Sequence, residues 1–288
     1  MLIIVGAIIV IVCTFGGYMA MGGKLGVLYQ PFELVIIGGS ACGALIISNT
    51  KVILAGCLKA TGRAMKGPKH KRDGYVELLS LMYQMFKLAR SKGNLALEKH
   101  VEAPDESDLF SQFPQVQHDH HAMVFMCDYL RLLTMGSDNP HELEALMDQD
   151  IETHHEEEHS IASAVQTMAD GMPALGIVAA VLGVIKTMAS ITEPPEVLGG
   201  LIGAALVGTF LGVYLAYGFI GPIASALNNI SAADGRFYTC IKAGILAHVA
   251  GHPPAIAVEF ARKTLSSDVR PSFNELEQAF ENLPQPAG

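Results

Sequence analysis

Long uncharged stretches alternate along this chain with segments crowded by charge. Residues 1–23 carry no charge before Lys24, a run long enough to cross a hydrocarbon core of roughly 30 Å as a helix. No basic residue precedes the run, and it exceeds the roughly 7–15 apolar residues of a secretion signal, so it reads as a retained span. Leu34 to Thr50 is again uncharged, and continues through Leu54 if Lys51 snorkels to the interface. Gly171 to Ile185 forms a third such run, reaching Thr192 if Lys186 snorkels. The polar turn Glu193-Pro194-Pro195-Glu196 follows, and then Val197 to Ala233 without a charge, more than one crossing needs. The fourth helix is expected to span early and continue out of the membrane.

Between the second and third runs the pattern changes. Tyr75 to Lys92 has apolar residues recurring at three and four, the mark of an amphipathic helix, interrupted at Gly93-Asn94. His121 to Met135 and Pro140 to Ala169 read as further helices, the latter leading straight into the third span. Ala255 to Leu265 and Phe273 to Asn282 predict short C-terminal helices, with a frayed tail from Pro284 to Pro286. The expected fold is an all-α integral membrane protein with four transmembrane helices. Its cytoplasmic helical domain is formed by the loop between helices 2 and 3 and by the C-terminal segment. The boundaries are 1–21, 34–54, 171–192 and 199–222 for the spans, 55–169 for the loop and 223–288 for the C-terminal segment.

Composition supports this layout. Half the residues are hydrophobic and 16% are charged, against about a quarter in soluble domains. Lys and Arg set the orientation. Of 19, only Lys24 and Lys186 fall in the candidate outer loops, and seven (Lys51, Lys59, Arg63, Lys66, Lys69, Lys71, Arg72) directly follow the second span. The positive-inside rule then places both termini and the large loop on the cytoplasmic side of an inner membrane. That rule accounts for the basic cluster, and a net charge of −9 argues against a nucleic-acid partner. The five cysteines form no C-x-x-C pair and read as reduced thiols rather than a disulfide framework.

Chemistry-bearing motifs are few. His155-Glu156-Glu157-Glu158-His159 matches the H-E-x-x-H of zinc peptidases. Asp148, Asp150 and Glu152 extend its acidic surroundings, so the helix is polar all round, with no apolar cleft and no evident third ligand. It reads as a solvated acidic helix, and no enzymatic role is expected. His118, His120 and His121 lie in a loop without a cysteine partner and likewise predict no metal site.

The spans themselves say more. Glu33, Asp170 and Glu196 fall at span edges, which leaves no carboxylate at mid-membrane to bind and release an ion, so another chain must supply one if ions pass. The third and fourth spans are rich in small residues, including the G-x-x-x-G of Gly208 to Gly212. Such residues let helices approach closely, either within the subunit or against a partner's helix. Thr209, with Tyr214 and Tyr217 beyond it, gives that wall its polar part. Pro173 either begins a helix or marks a hinge, and Pro222, deep in a helical run, predicts a kink.

Four stretches in register carry a family resemblance: GGYMAMGGKLGVLYQPFELVIIGG, PALGIVAAVLGVI, VGTFLGVYLAYGFIGP, and IAVEFARKTL with RPSF. Together they resemble the MotA family, the larger subunits of bacterial flagellar stators, along nearly the whole chain. The resemblance implies a ring of five such subunits around two copies of MotB, whose single transmembrane helix carries an ion-binding aspartate. Ion flow would turn the ring and drive the cytoplasmic loop against the rotor protein FliG. Arg90 and Glu98, in RSKGNLALE, fall on the family's rotor-contact positions. Pro173 and Pro222 fall on its two prolines near the carrier, and Thr209 on its channel-lining hydroxyl. Sodium-driven relatives place a hydroxyl where this chain has Ala180, and a sodium ion shedding water needs oxygen ligands. The transported ion is therefore expected to be a proton, with no bound cofactor. Ala180, Thr209, Gly208, Gly212 and Tyr217 are the expected pathway and packing positions. The competing readings are an energiser of the ExbB or TolQ type, with three spans and an outer N-terminus, the zinc peptidase, and a passive membrane scaffold.

Overall fold

A computed structural model describes residues 2–284. Its helices are α1 (Leu2–Ala20), α2 (Leu25–Leu28), α3 (Pro31–Ser48), α4 (Lys51–Lys66), α5 (Arg72–Lys92), α6 (Glu98–Glu102), α7 (Pro114–Gln117), α8 (His120–Thr134), α9 (Pro140–Met188), α10 (Pro195–Leu215), α11 (Gly221–Val249), α12 (Pro254–Lys263) and α13 (Phe273–Glu281). A π-helical turn, Ala216–Ile220, joins α10 to α11. The chain forms two compact units, Met1–Gly67 with Glu157–Ile230, and Pro68–Glu156 with Ser231–Gly288.

Four helical stretches are long and apolar enough to cross a membrane: Leu2–Ala20, Leu25–Ser48, Pro140–Met188 and Pro195–Val249. Within the first unit these stretches expose large apolar side chains such as Ile8, Ile47, Val181 and Leu182, the reverse of a soluble surface. Inside that unit, Ile37 and Ala41 of α3 pack with Met172 and Ala179 of α9 and with Ala216. A second cluster joins Ala60 and Ala64 of α4 to Ala162, Val165, Ala224 and Leu227.

Three boundaries differ from the sequence expectation. The second span was expected over 34–54, yet its helix starts at Pro31 and stops at Ser48. The Ser48 hydroxyl donates to the Ala44 carbonyl at 2.9 Å, and the Asn49 amide donates to that of Leu45 at 2.9 Å. With these carbonyls satisfied, Asn49 turns extended (φ −130°, ψ 155°), and Lys51 to Leu54 open the amphipathic α4 instead. The third span, expected over 171–192, is the end of one 49-residue helix that begins at Pro140, so Pro173 lies inside a helix rather than starting one. The fourth, expected over 199–222, starts at Pro195, whose missing N–H costs nothing in the first turn. No break separates it from the C-terminal segment at 223, because helix continues to Val249.

Pro222 was expected to kink the run. The structure resolves the conflict with the π-helical turn just before it, where a shifted bonding pattern accommodates the donor that proline lacks.

The second unit has an ordinary interior. α5 buries Tyr75, Leu78, Leu79, Leu81, Met82, Met85 and Phe86, each at most 2% exposed, against side chains of α8, α11, α12 and α13. Gly93 ends α5 with φ +86°, a conformation that glycine adopts without strain.

Candidate functional site

In the first unit, α9 and α10 meet along a seam of small residues. A Cβ on Gly176 would stand 2.8 Å from the Gly208 carbonyl oxygen, and one on Gly212 would stand 2.6 Å from the Met172 carbonyl oxygen. Two turns along from Gly176, a Cβ on Gly183 would lie 2.7 Å from that of Ala205. The spacing 176, 179, 183 against 205, 208, 212 puts the smallest residues of each helix on one stripe, so the backbones touch. Gly208 and Gly212 are buried in this contact. Of the two readings open for the G-x-x-x-G, these glycines therefore serve packing within the subunit.

The other expected pathway positions flank the seam. Ala180 and Thr209 are half-buried, and the Ala180 backbone nitrogen lies 3.0 Å from the Cβ position of Gly208. Tyr217, in the π-helical turn, is 67% exposed. Pro173 is half-buried and Pro222 exposed. The exposed apolar residues Ile177, Val178, Val181, Leu182, Ile202, Leu206 and Val213 leave much of α9 and α10 uncovered by the rest of the chain.

Glu33, expected at a span edge, stands in the first turn of α3 and is half-buried, with Oε2 beside the Cβ position of Gly208 and buried without a hydrogen-bond partner among the described residues. The acid in the first turn of α3, behind Pro31, reads in sequence as a helix N-terminal charge, and only the α9–α10 seam reveals where it points. An aromatic cluster was also missed. Phe15 of α1 meets Tyr214 edge-on at 5.5 Å, and Tyr214 stacks on Phe210 at 5.3 Å.

In the second unit, Arg90 and Glu98 are both exposed. Arg90 lies in the last turn of α5, its Nη1 3.5 Å from the Gly251 carbonyl, and Glu98 opens α6. Glu98 also borders a surface groove of about 410 Å³, lined by Leu88, Lys92, Leu95, Ala96, Lys99 and Glu102. Beneath Arg90, His248 stacks on Phe86 at 4.7 Å. Burial, with the nearby Arg90 charge adding to it, lowers the His248 pKa from its ordinary value.

The histidine motifs have structural surroundings. His159 Nδ1 lies 3.0 Å from Asn228 Oδ1, Glu158 pairs with Arg63, and His118 Nδ1 lies 2.6 Å from the Pro114 carbonyl. Among the described residues, no three or more His, Cys, Asp or Glu side chains come together as a metal-binding group.

Two family models match: Motility protein A N-terminal over residues 4–93, and the MotA/TolQ/ExbB proton channel family over residues 117–234. The chain is 46% identical over 278 residues to Motility protein A of Salmonella typhimurium, covering 96% of this chain and 94% of that protein. Its fold is similar to that in the C. jejuni MotAB structure (TM-score 0.76, 20% identity, 92% and 96% of the two chains). It is also similar to that in the flagellar MotAB stator complex from Bacillus subtilis (TM-score 0.65, 22% identity, 89% and 92%). These matches and the four apolar helices make the chain a multi-pass membrane protein that belongs to the Motility protein A family, within the MotA/TolQ/ExbB proton channel family.

Proposed function

We propose that this flagellar stator subunit combines with a single-span MotB partner to conduct protons across the bacterial inner membrane, and converts that flow into torque on FliG of the rotor. The observation that carries the reading is the family membership along nearly the whole chain, from the apolar N-terminal helix to the C-terminal helices. The partner's helix, bearing the ion-binding aspartate, packs on the apolar faces that α9 and α10 leave uncovered. Five subunits surround two partner copies. Ala180, Thr209 and Tyr217 line the route, with Gly208 and Gly212 holding the wall together. Pro173 and Pro222 transmit the change, and Arg90 and Glu98 contact the rotor.

Protons are favoured over sodium because Ala180 offers no oxygen ligand to a dehydrated cation, and no further cofactor is required. Both termini face the cytoplasm on this reading, which the distribution of Lys and Arg supports. The match to the Motility protein A N-terminal model, together with four rather than three apolar helices, favours this reading over an ExbB-type energiser. Purification of a tagged copy from flagellated cells tests it. A single-span protein with one aspartate in its helix is expected to co-purify, and recovery of the chain without any such partner would contradict the proposal.

A further inference from the structure

Glu33 carries the only charged side chain of α3, and it stands ninth in the apolar stretch Leu25–Ser48. A helix-terminal acid ordinarily turns toward water and its own first-turn amides. Here the side chain leans instead onto the α9–α10 seam. A Cβ on Gly208 would collide with Glu33 Oε2, and one on Gly183 would stand 3.4 Å from Oε1. The two glycines thus form a cradle that any larger residue would fill.

The cradle is poor in charge. Oε2 is buried and makes no hydrogen bond to any described residue, while Glu33 as a whole is half-buried. Of the elements around it, α10 carries only Glu196, twelve residues before Gly208, and the nearest charge on α9 is Lys186, three residues past Gly183; both are exposed. Lys24 precedes α2, which has no charge of its own. A carboxyl oxygen in such a place keeps an open acceptor position that a proton can fill. Retaining one in an apolar span is costly, and ionisable groups there usually mark an ion route.

Its neighbours are the positions already assigned to the pathway. The Cβ position of Gly208 lies beside Glu33 Oε2, the Ala180 backbone nitrogen and the Ala179 side chain together, and Thr209 follows directly. We propose that Glu33 is a proton-binding site of this chain, an acid held by the subunit itself, in series with the acid of the partner helix. Lying near the outer end of its span, it takes up a proton from the outside and releases it along the seam toward Ala180 and Thr209. The proton binds one carboxyl oxygen and leaves from it, so no other bond changes. This inference rests on the ion-conducting reading above.

The test uses the chain co-expressed with its partner in a strain lacking both. Wild type must first restore swimming and acid-pulse acidification of the cytoplasm. If it does not, the stator reading fails, whatever Glu33 does. Given a functional wild type, Glu33→Gln is expected to slow acidification at least about tenfold, as loss of a proton-relay group does. The complex should still be recovered from membranes at wild-type level, and Glu33→Asp should restore part of the rate and shift its dependence on external pH. A second measurement needs no variant: an apolar carbodiimide, which reacts with protonated carboxyls, should label Glu33 in the wild-type complex, with labelling falling as external pH rises. Wild-type conduction and pH profile in Glu33→Gln would overturn the proposal. So would equal loss of complex and conduction in both variants, or an unlabelled Glu33 in the active complex.

Discussion

His70 Nε2 lies 3.0 Å from a carboxylate oxygen of Asp119, with the side chains 8% and 2% exposed. The contact ties the segment before α5 to the start of α8. The His70 ring also stacks on Phe237 at 3.7 Å, and Asp119 Oδ1 accepts the Ala122 amide, capping α8. Burial alone would raise the Asp119 pKa, but hydrogen bonds from His70 and Lys69 outweigh it and hold the carboxyl well below its ordinary 3.8. Asp119→Ala removes the cap and leaves the pair's other half unmatched, an expected loss of about 3 kcal/mol. Because the folded value is depressed, this contribution is complete above pH 3.8 and disappears as pH falls below it. Thermal unfolding of the purified variant reads the loss, and an unchanged midpoint would remove Asp119 from the account of the second unit.

His100 and His248 predict a separate acid sensitivity at milder pH. Burial lowers both from an ordinary 6.5, with Lys99 reinforcing the effect at His100 and Arg90 at His248. The unfolded chain therefore takes up protons near 6.5 while the folded chain still resists, so stability is full above that pH and declines as pH falls through it. The unfolding midpoint should drop between about pH 7 and about pH 5, and His248→Gln should flatten part of that slope. A slope unchanged by the substitution would contradict the assignment.

Along the α9–α10 seam, substitutions should act through backbone approach. A side chain at Gly176 or Gly212 meets main-chain atoms of the opposing helix at 2.6–2.8 Å, and main chain cannot rotate away. Gly212→Val and Gly176→Val are each expected to cost about 1–3 kcal/mol by overpacking and to lower the amount of folded protein in membranes. Gly171, with nothing within 4 Å of its Cβ position, is the control. Gly171→Ala should leave that level unchanged, whereas equal losses at all three sites would argue against close packing as the cause.

Arg90 and Glu98 should separate stability from function. Both are exposed, so Arg90→Glu or Glu98→Lys is expected to move the folding free energy by no more than about 0.5 kcal/mol. On the proposed rotor contact, inverting either charge should lower swimming speed severely. Parallel unfolding curves and motility assays decide the matter, and full motility in both reversals would remove these residues from the rotor contact.

Much of this was legible in the sequence because apolar periodicity and charge are local properties. α5, with its stop at Gly93, and the short α12 and α13 follow from side-chain spacing and turn chemistry alone. The end of α3 does not: Ser48 and Asn49 close it by bonding carbonyls one turn back, so an uncharged run overstated the helix. Nor does the outcome at Pro222, where a proline's missing donor predicts disruption but not whether a kink or a π-helical turn absorbs it. Glu33 is the clearest case. Its position in the chain is an edge, and only the glycines of two helices about 150 and 175 residues away show which way its carboxylate leans.

The most direct measurement is motility of a strain from which this gene and any other stator genes have been deleted, scored together with flagellar staining. Filaments should be present on cells that do not swim, and reintroducing the chain with its single-span partner should restore swimming. Normal swimming in the deletion strain, or failure of the pair to restore it, would contradict a role in generating torque.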